Sequence, residues 1–186
     1  MIETKVNGMS DEEVIELILN KGKTNLFGVL YDRYSDKVYR KCLSFEKDKD
    51  VALDLSHDIL IKVFLQLSKF EGRSRFSTWL YSISYNYCIE YTRKKNRLPL
   101  IALEEDRMDL QDEDSDWFLM ENQLKSLKKA LEEIHPEDKA LLLMKYQDDI
   151  SIKELMEIYQ ISESAVKMRL SRARQRVKEI IDTNLY

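Results

Sequence analysis

Apolar residues recur along this chain at three- and four-residue steps and almost never alternate. Phe27, Leu30, Tyr31, Tyr34, Val38, Cys42 and Phe45 form one such stripe. That spacing is the period of a helix face, whereas a strand would show every second residue, so a long helix is predicted over about 25–45. Ahead of it, Ser10-Asp-Glu-Glu13 is a capping box. The Ser10 hydroxyl can accept from the Glu13 backbone N–H while the Glu13 carboxylate reaches back. The helix it opens buries Val14, Leu17 and Ile18 and ends near Gly22. After a polar break at 46–50, Ala52, Leu55, Ile59, Val63, Phe64 and Leu67 predict a third helix, closed by Gly72. Phe76, Leu80, Ile83, Tyr87 and Tyr91 predict a fourth over 76–97, with Ser74 or Ser77 as its cap. It runs out in Arg93-Lys-Lys-Asn-Arg97, cations that suit the negative end of a helix dipole, and Pro99 stops any continuation.

Periodicity then lapses and returns at Leu124, Leu127, Leu131 and Ile134. Pro136 opens a helix to Tyr146, Ser151-Ile-Lys-Glu154 caps one to Tyr159, and a last helix runs over 163–181. The final two, separated only by 160–162, are a helix-turn-helix candidate. The expectation is an all-α protein of two small helical domains, 1–97 and 122–186, joined by a linker at 98–121. With 4 Gly and 2 Pro in 186 residues, the chain has too few turn formers for a many-stranded fold.

Composition sharpens this in three places. No apolar run approaches the roughly 20 residues that span a bilayer, and the N-terminus lacks a signal-like apolar stretch, so no membrane insertion and a cytoplasmic location are expected. Cys42 and Cys88, far apart and without a CxxC partner, are read as buried free thiols, and two isolated histidines give no metal site. No cofactor is expected. The net charge of −4 hides an uneven distribution: 104–121 carries nine acids against Arg107 alone, leaving the remainder at +4.

The positive charge gathers where a nucleic acid could use it. On the last helix, Val166, Leu170, Ala173, Val177 and Ile181 share one side, leaving Ser164, Lys167, Met168, Arg169, Ser171, Arg172, Gln175, Arg176 and Lys178 on the outward and flanking faces. Residues 162–180 hold six bases and two acids. A basic helix displayed by a helix-turn-helix fits a major groove, where Arg and Lys reach guanine edges or phosphates. On helix 76–97, Tyr81, Tyr85, Asn86 and Arg93 project outward or sideways with Trp79 at the boundary, a pattern suited to stacking on unpaired bases. The same aromatics could instead close an interface with a neighbouring helix.

The stretch Phe70-Glu-Gly-Arg-Ser-Arg-Phe76-Ser-Thr-Trp79 through Tyr91-Thr-Arg93-Lys-Lys resembles the promoter-melting region of extracytoplasmic-function sigma factors. Asp54-Leu-Ser-His-Asp58-Ile-Leu-Ile-Lys62 resembles that family's polymerase-binding helix. The segments Ile150-Ser-Ile-Lys-Glu-Leu and Ser162-Glu-Ser-Ala-Val-Lys-Met-Arg-Leu-Ser-Arg-Ala-Arg174 resemble its −35 reading motif. The resemblance implies a non-enzymatic subunit that binds the RNA polymerase core. Asp54, His57, Asp58 and Lys62 would grip a coiled coil of the β′ subunit. Arg73, Arg75, Trp79, Tyr81, Tyr85, Asn86, Arg93 and Lys94 would meet the −10 element of promoter DNA. Ser164, Lys167, Met168, Ser171 and Arg172 would read the −35 element, while Arg169, Arg174 and Arg176 hold phosphates. It also implies an anti-sigma factor as a partner and a linker directed toward the RNA exit path.

The chain departs from the family pattern at His57, where Gln is usual, and at Met156 and Gln160, where Ala and Gly are common. A non-Gly residue in a left-handed turn costs about 1 kcal/mol. Three other functions compete: an interaction module that only sequesters a partner, a dimeric helix-turn-helix regulator that works without polymerase, and a Mg²⁺-dependent enzyme built on the acids at 104–116, the last of which has no outer shell to orient its ligands.

Overall fold

The computed structural model of the chain describes residues 8–97 and 115–184, with side chains omitted at 115–120 and 184. Among the described residues every regular element is helical. They are α1 (Asp11–Lys21), α2 (Phe27–Leu43), α3 (Lys49–Gln66), α4 (Phe76–Arg97), α5 (Ser115–Glu133), α6 (Pro136–Tyr146), α7 (Ile152–Tyr159) and α8 (Glu163–Asn184), with short 3-10 turns at Thr24–Leu26 and Leu67–Lys69. The chain divides into two compact units, one chiefly Met1–Thr92 and the other chiefly Arg93–Tyr186.

Local chemistry sets most of the helix ends. Both halves of the Ser10–Glu13 capping box form, and Gly22 closes α1 with a left-handed φ of 63°. Hydrogen bonds to its carboxylate hold the Glu13 pKa below its usual range, led by the Ser10 backbone N–H. The Asp48 side chain accepts from the N–H groups of Asp50 and Val51 and so opens α3 inside the predicted polar break. In the second unit His135 caps α6 ahead of Pro136, and the Ser151–Glu154 box opens α7. The start of α4 differs from expectation. Where Ser74 or Ser77 was expected to cap, the Phe76 N–H is accepted at 3.2 Å by Glu12 of α1. Helix α5 begins at Ser115, inside the stretch expected to be linker, and 98–114 lies outside the described residues.

The first core joins Val14 and Ile18 of α1 to Leu30, Tyr34 and Val38 of α2, to Ala52, Ile59 and Val63 of α3, and to Phe76, Leu80 and Cys88 of α4. The expected stripes supply this core, but not every member is in it: Tyr31 and Phe64 are exposed, Leu17 and Ile83 are half-buried, and Phe64 packs tilted against Phe27 with ring centroids 4.9 Å apart. Cys42 and Cys88 are buried free thiols, as expected. A hydrogen bond to Cys42, reinforced by burial, pushes the Cys88 thiol far above its ordinary pKa. In the second unit Ala130, Ala140, Met144, Leu155, Val166, Leu170 and Ala173 are buried.

Candidate nucleic-acid interface

The helix-turn-helix is α7, the turn 160–162, and α8. Gln160 takes the left-handed conformation that the resemblance implied for this position, φ 53° and ψ 44°, and its N–H caps α7 by donating to the Met156 carbonyl. Ser162 then turns the chain into α8, its Oγ accepting from the Ala165 N–H at 3.3 Å. With Val166, Leu170, Ala173 and Val177 buried, Ser164, Lys167, Met168, Arg169, Ser171 and Arg172 are all exposed. Lys167 pairs with Glu163 one turn earlier at 2.5 Å, an interaction that lowers the Glu163 pKa. Arg174 and Arg176, expected to hold phosphates, face a different neighbour. Arg174 Nη1 donates to the Tyr146 hydroxyl at 3.0 Å and Arg176 is ion-paired with Asp138, both on α6. At 100° per residue these two lie about 40° and 240° from Leu170, so they flank the buried side while Met168 and Arg172 point away from it.

On α4 the expected set separates into layers. Arg73, Arg75, Asn86, Arg93 and Lys94 are exposed, and Trp79 and Tyr81 are half-buried. The Trp79 ring packs on Phe70 and Phe76 at 5.5 and 5.9 Å. The Lys41 ammonium lies 3.8 Å from the Tyr81 ring centroid, a cation–π contact that fixes the ring. Tyr85 departs from its expected exposure: it is 0% exposed. The segment following α2 brings Phe45 edge-on to it at 6.1 Å, and Lys41 sits 5.3 Å over its face. Of the two readings open for these aromatics, packing against a neighbouring segment describes Tyr85. Tyr87 and Tyr91, expected in the core, are half-buried, their hydroxyls donating to Asp58 at 2.9 Å and Glu46 at 2.6 Å. Desolvation, with these carboxylates as acceptors, raises both phenol pKa values.

Helix α3 carries a second kind of surface. Asp54, His57 and Asp58 are exposed, and Lys62 is half-buried with its ammonium 5.3 Å from the Tyr87 ring. Among them Leu53, Ile61, Phe64 and Leu65 are exposed large apolar side chains; sequence reasoning put Phe64 in the core and did not single out the other three. The signal was present: apolar residues in 52–67 are not confined to one face but also fall among Asp54, His57, Asp58 and Lys62, more than a single buried stripe needs. A groove of about 430 Å³ runs beside it, lined by Phe27, Gly28, Tyr31, His57, Ile61 and Phe64. Among the described residues no cluster of His, Cys, Asp or Glu could hold a metal ion, and no helix is long and apolar enough to cross a membrane. The acidic run at 104–114 lies outside the described residues.

Two family models match in the order of the units: sigma-70 region 2 over residues 30–98 and sigma-70 region 4 over residues 124–177. The chain is 26% identical over 171 residues to the ECF RNA polymerase sigma factor SigW of Bacillus subtilis, covering 87% of this chain and 91% of that one. It is 28% identical over 147 residues to SigX of the same organism, covering 76% of each. It is 25% identical over 179 residues to the sigma-E factor of Escherichia coli K12, covering 91% of this chain and 93% of that one. Two solved structures share the fold. One is the sigma factor RpoE of Bartonella quintana in complex with the anti-sigma factor NepR, with a TM-score of 0.61 at 22% identity over 84% of this chain and 96% of that one. The other is CnrH in complex with the cytosolic domain of CnrY, with a TM-score of 0.60 at 19% identity over 91% of this chain and 96% of that one. Region 2 in the first unit, region 4 in the second and relatives of this one kind along nearly the whole length place the chain: it belongs to the sigma-70 family, in its extracytoplasmic-function group.

Proposed function

We propose that the chain binds the core of RNA polymerase and directs it to promoters, with α8 reading the −35 element and α4 and its entry loop opening and holding the −10 element. One observation carries the reading: the chain combines a region 2 unit that leaves an apolar face of α3 uncovered with a region 4 unit that exposes a cationic helix. A groove reader needs the second. A subunit that works only on a larger enzyme needs the first, because an apolar face left in water gains most when a partner covers it.

The division of labour follows the surfaces. Leu53, Ile61 and Leu65, with Asp54, His57, Asp58 and Lys62, form the face for the β′ coiled coil. Lys167, Met168, Ser171 and Arg172, with Ser164 at the helix entry, meet base edges, and Arg169 meets phosphate. Arg174 and Arg176 steady α8 on α6 and add positive potential beside the duplex. Trp79 and Tyr81, with Arg73, Arg75, Asn86, Arg93 and Lys94, meet the opened strand, with Tyr85 packed behind them. Residues 1–97 and 122–186 act as separate modules, and the negative charge between them suits a path otherwise taken by RNA. An anti-sigma factor as regulator, a place in the cytoplasm and the lack of any reaction or cofactor of its own belong to the same reading.

Run-off transcription with purified core enzyme and a promoter library tests it. Core plus this chain should initiate from a defined subset of templates that core alone ignores. A chain that does not associate with core, or one that forms a stable dimer on a palindrome with no polymerase present, overturns the reading.

A further inference from the structure

The loop 71–75 and the first turn of α4 carry Arg73, Arg75 and Trp79, which the reading above sets against the −10 element. A helix leaves its first N–H groups without intrahelical acceptors, and a side chain normally supplies one from the residue just ahead. Here the Ser74 hydroxyl donates to the Arg75 carbonyl at 3.4 Å. The acceptor for the Phe76 N–H is Glu12 Oε1 at 3.2 Å, from a helix 64 residues earlier in the chain.

The adjoining residue is clamped in turn. Arg33 Nη1 donates to Asp11 Oδ1 at 2.7 Å and Arg33 Nη2 to the Met9 carbonyl at 2.8 Å, while the Tyr34 hydroxyl donates to Asp11 Oδ2. The Tyr34 ring stands edge-on to Phe76 at 5.5 Å and to Tyr81 at 6.2 Å. The first turn of α1 is therefore tied to α2 through Asp11 and to the start of α4 through Glu12. Through Tyr34, the same carboxylate that anchors α1 also sets the aromatic group beside the loop.

We propose that Glu12 is a positioning residue for promoter opening: by holding the Phe76 N–H it fixes where the loop 71–75 enters α4, and so where Arg73, Arg75 and Trp79 meet the opened strand. This rests on α4 being the melting helix. Glu12 makes no contact with DNA in this account. What matters is an acceptor oxygen at the right reach, which Gln retains, Ala removes and Asp holds one methylene too short.

The test uses holoenzyme reconstituted from core and full-length Glu12→Ala, Glu12→Asp, Glu12→Gln or Glu16→Ala chains. Glu16 is exposed on the same helix and serves as control. The probes are a fork-junction DNA with the single-stranded −10 strand of a promoter found by run-off, and a duplex ending upstream of that element. Glu12→Ala and Glu12→Asp should lose roughly five-fold in fork affinity, the weight of one helix cap, and open the promoter correspondingly more slowly. Core affinity and duplex affinity should stay at the wild-type value, and Glu12→Gln should recover to within about two-fold of wild type. Because Asp is well tolerated in a first helical turn, Glu12→Asp keeps the test sound should the Ala chain fold poorly. Wild-type fork affinity in both variants, no recovery by Gln, or a loss of core and duplex affinity in step with fork affinity overturns the proposal. Failure of the wild-type holoenzyme to bind the fork would instead overturn the reading of α4.

Discussion

Truncating the uncovered face of α3 offers the most direct separation of partner binding from folding. Ile61 is 58% exposed and Leu65 72% exposed in the free chain. Full burial of such a side chain is worth about 1.5–3 kcal/mol relative to leaving it in water. More than half of each remains to be covered, so a partner closing over them would gain roughly 1–2 kcal/mol per residue. Replacing either with Ala forfeits most of that gain, which corresponds to about a ten-fold weaker complex with core. The same change costs folding little, because the buried fraction is the smaller one and Ala is the best helix former. Competition between labelled wild-type and variant chains for core measures the first effect, and thermal melting followed by circular dichroism measures the second. Ile61→Ala and Leu65→Ala should each lose about ten-fold in core affinity and melt within a few degrees of wild type. Wild-type core affinity in both would refute the assignment of this face. So would a melting temperature that collapses along with affinity, because the side chains would then be serving the fold.

Three further outcomes follow from the same coordinates. Gly22 has φ 63° and Gly28 lies within α2, and a Cβ at either would meet nothing within 4 Å, so one substitution should have opposite signs at the two sites. Gly22→Ala should destabilise by about 1 kcal/mol through backbone strain, and Gly28→Ala should stabilise by about 0.5–1 kcal/mol, both read from urea melts. Arg172→Ala should weaken binding to a −35 duplex by roughly 1–3 kcal/mol and relax sequence preference, measured by competition with mutated duplexes; unchanged selectivity would remove Arg172 from the reading face. Finally, because hydrogen bonding to Ser10 lowers the Glu13 pKa from 4.5, the charged carboxylate stabilises the folded state above that value and the contribution is lost as pH falls through the lowered pKa. The melting-temperature gap between wild type and Glu13→Gln should therefore be present at neutral pH and close on acidification.

Helices whose instructions are local were legible in the residues alone. Both Ser-x-x-Glu boxes formed, Gly22 closed α1, and the anchors Val166, Leu170 and Ala173 were buried as their spacing required. The left-handed Gln160 was legible only through the resemblance, because Gly is common at that position in the family. The outward face of α4 was less legible. A wheel projection gives the direction of a side chain from its own axis and says nothing of what another segment lays across it. Tyr85 points away from Leu80 as projected, yet Phe45 and Lys41 lie against it.

Periodicity, caps and the placement of charge thus determined by themselves an all-helical chain with two units and an exposed cationic final helix, because each of those signals acts within a few residues. Contacts between segments remote in sequence were decided only by the tertiary structure: Glu12 capping α4, the paired thiols of Cys42 and Cys88, Arg174 and Arg176 turned to α6, and the apolar face of α3 left in water. The physical reason is that such a contact depends on which surfaces the packing brings together, and hydrophobic burial rewards area without naming a neighbour.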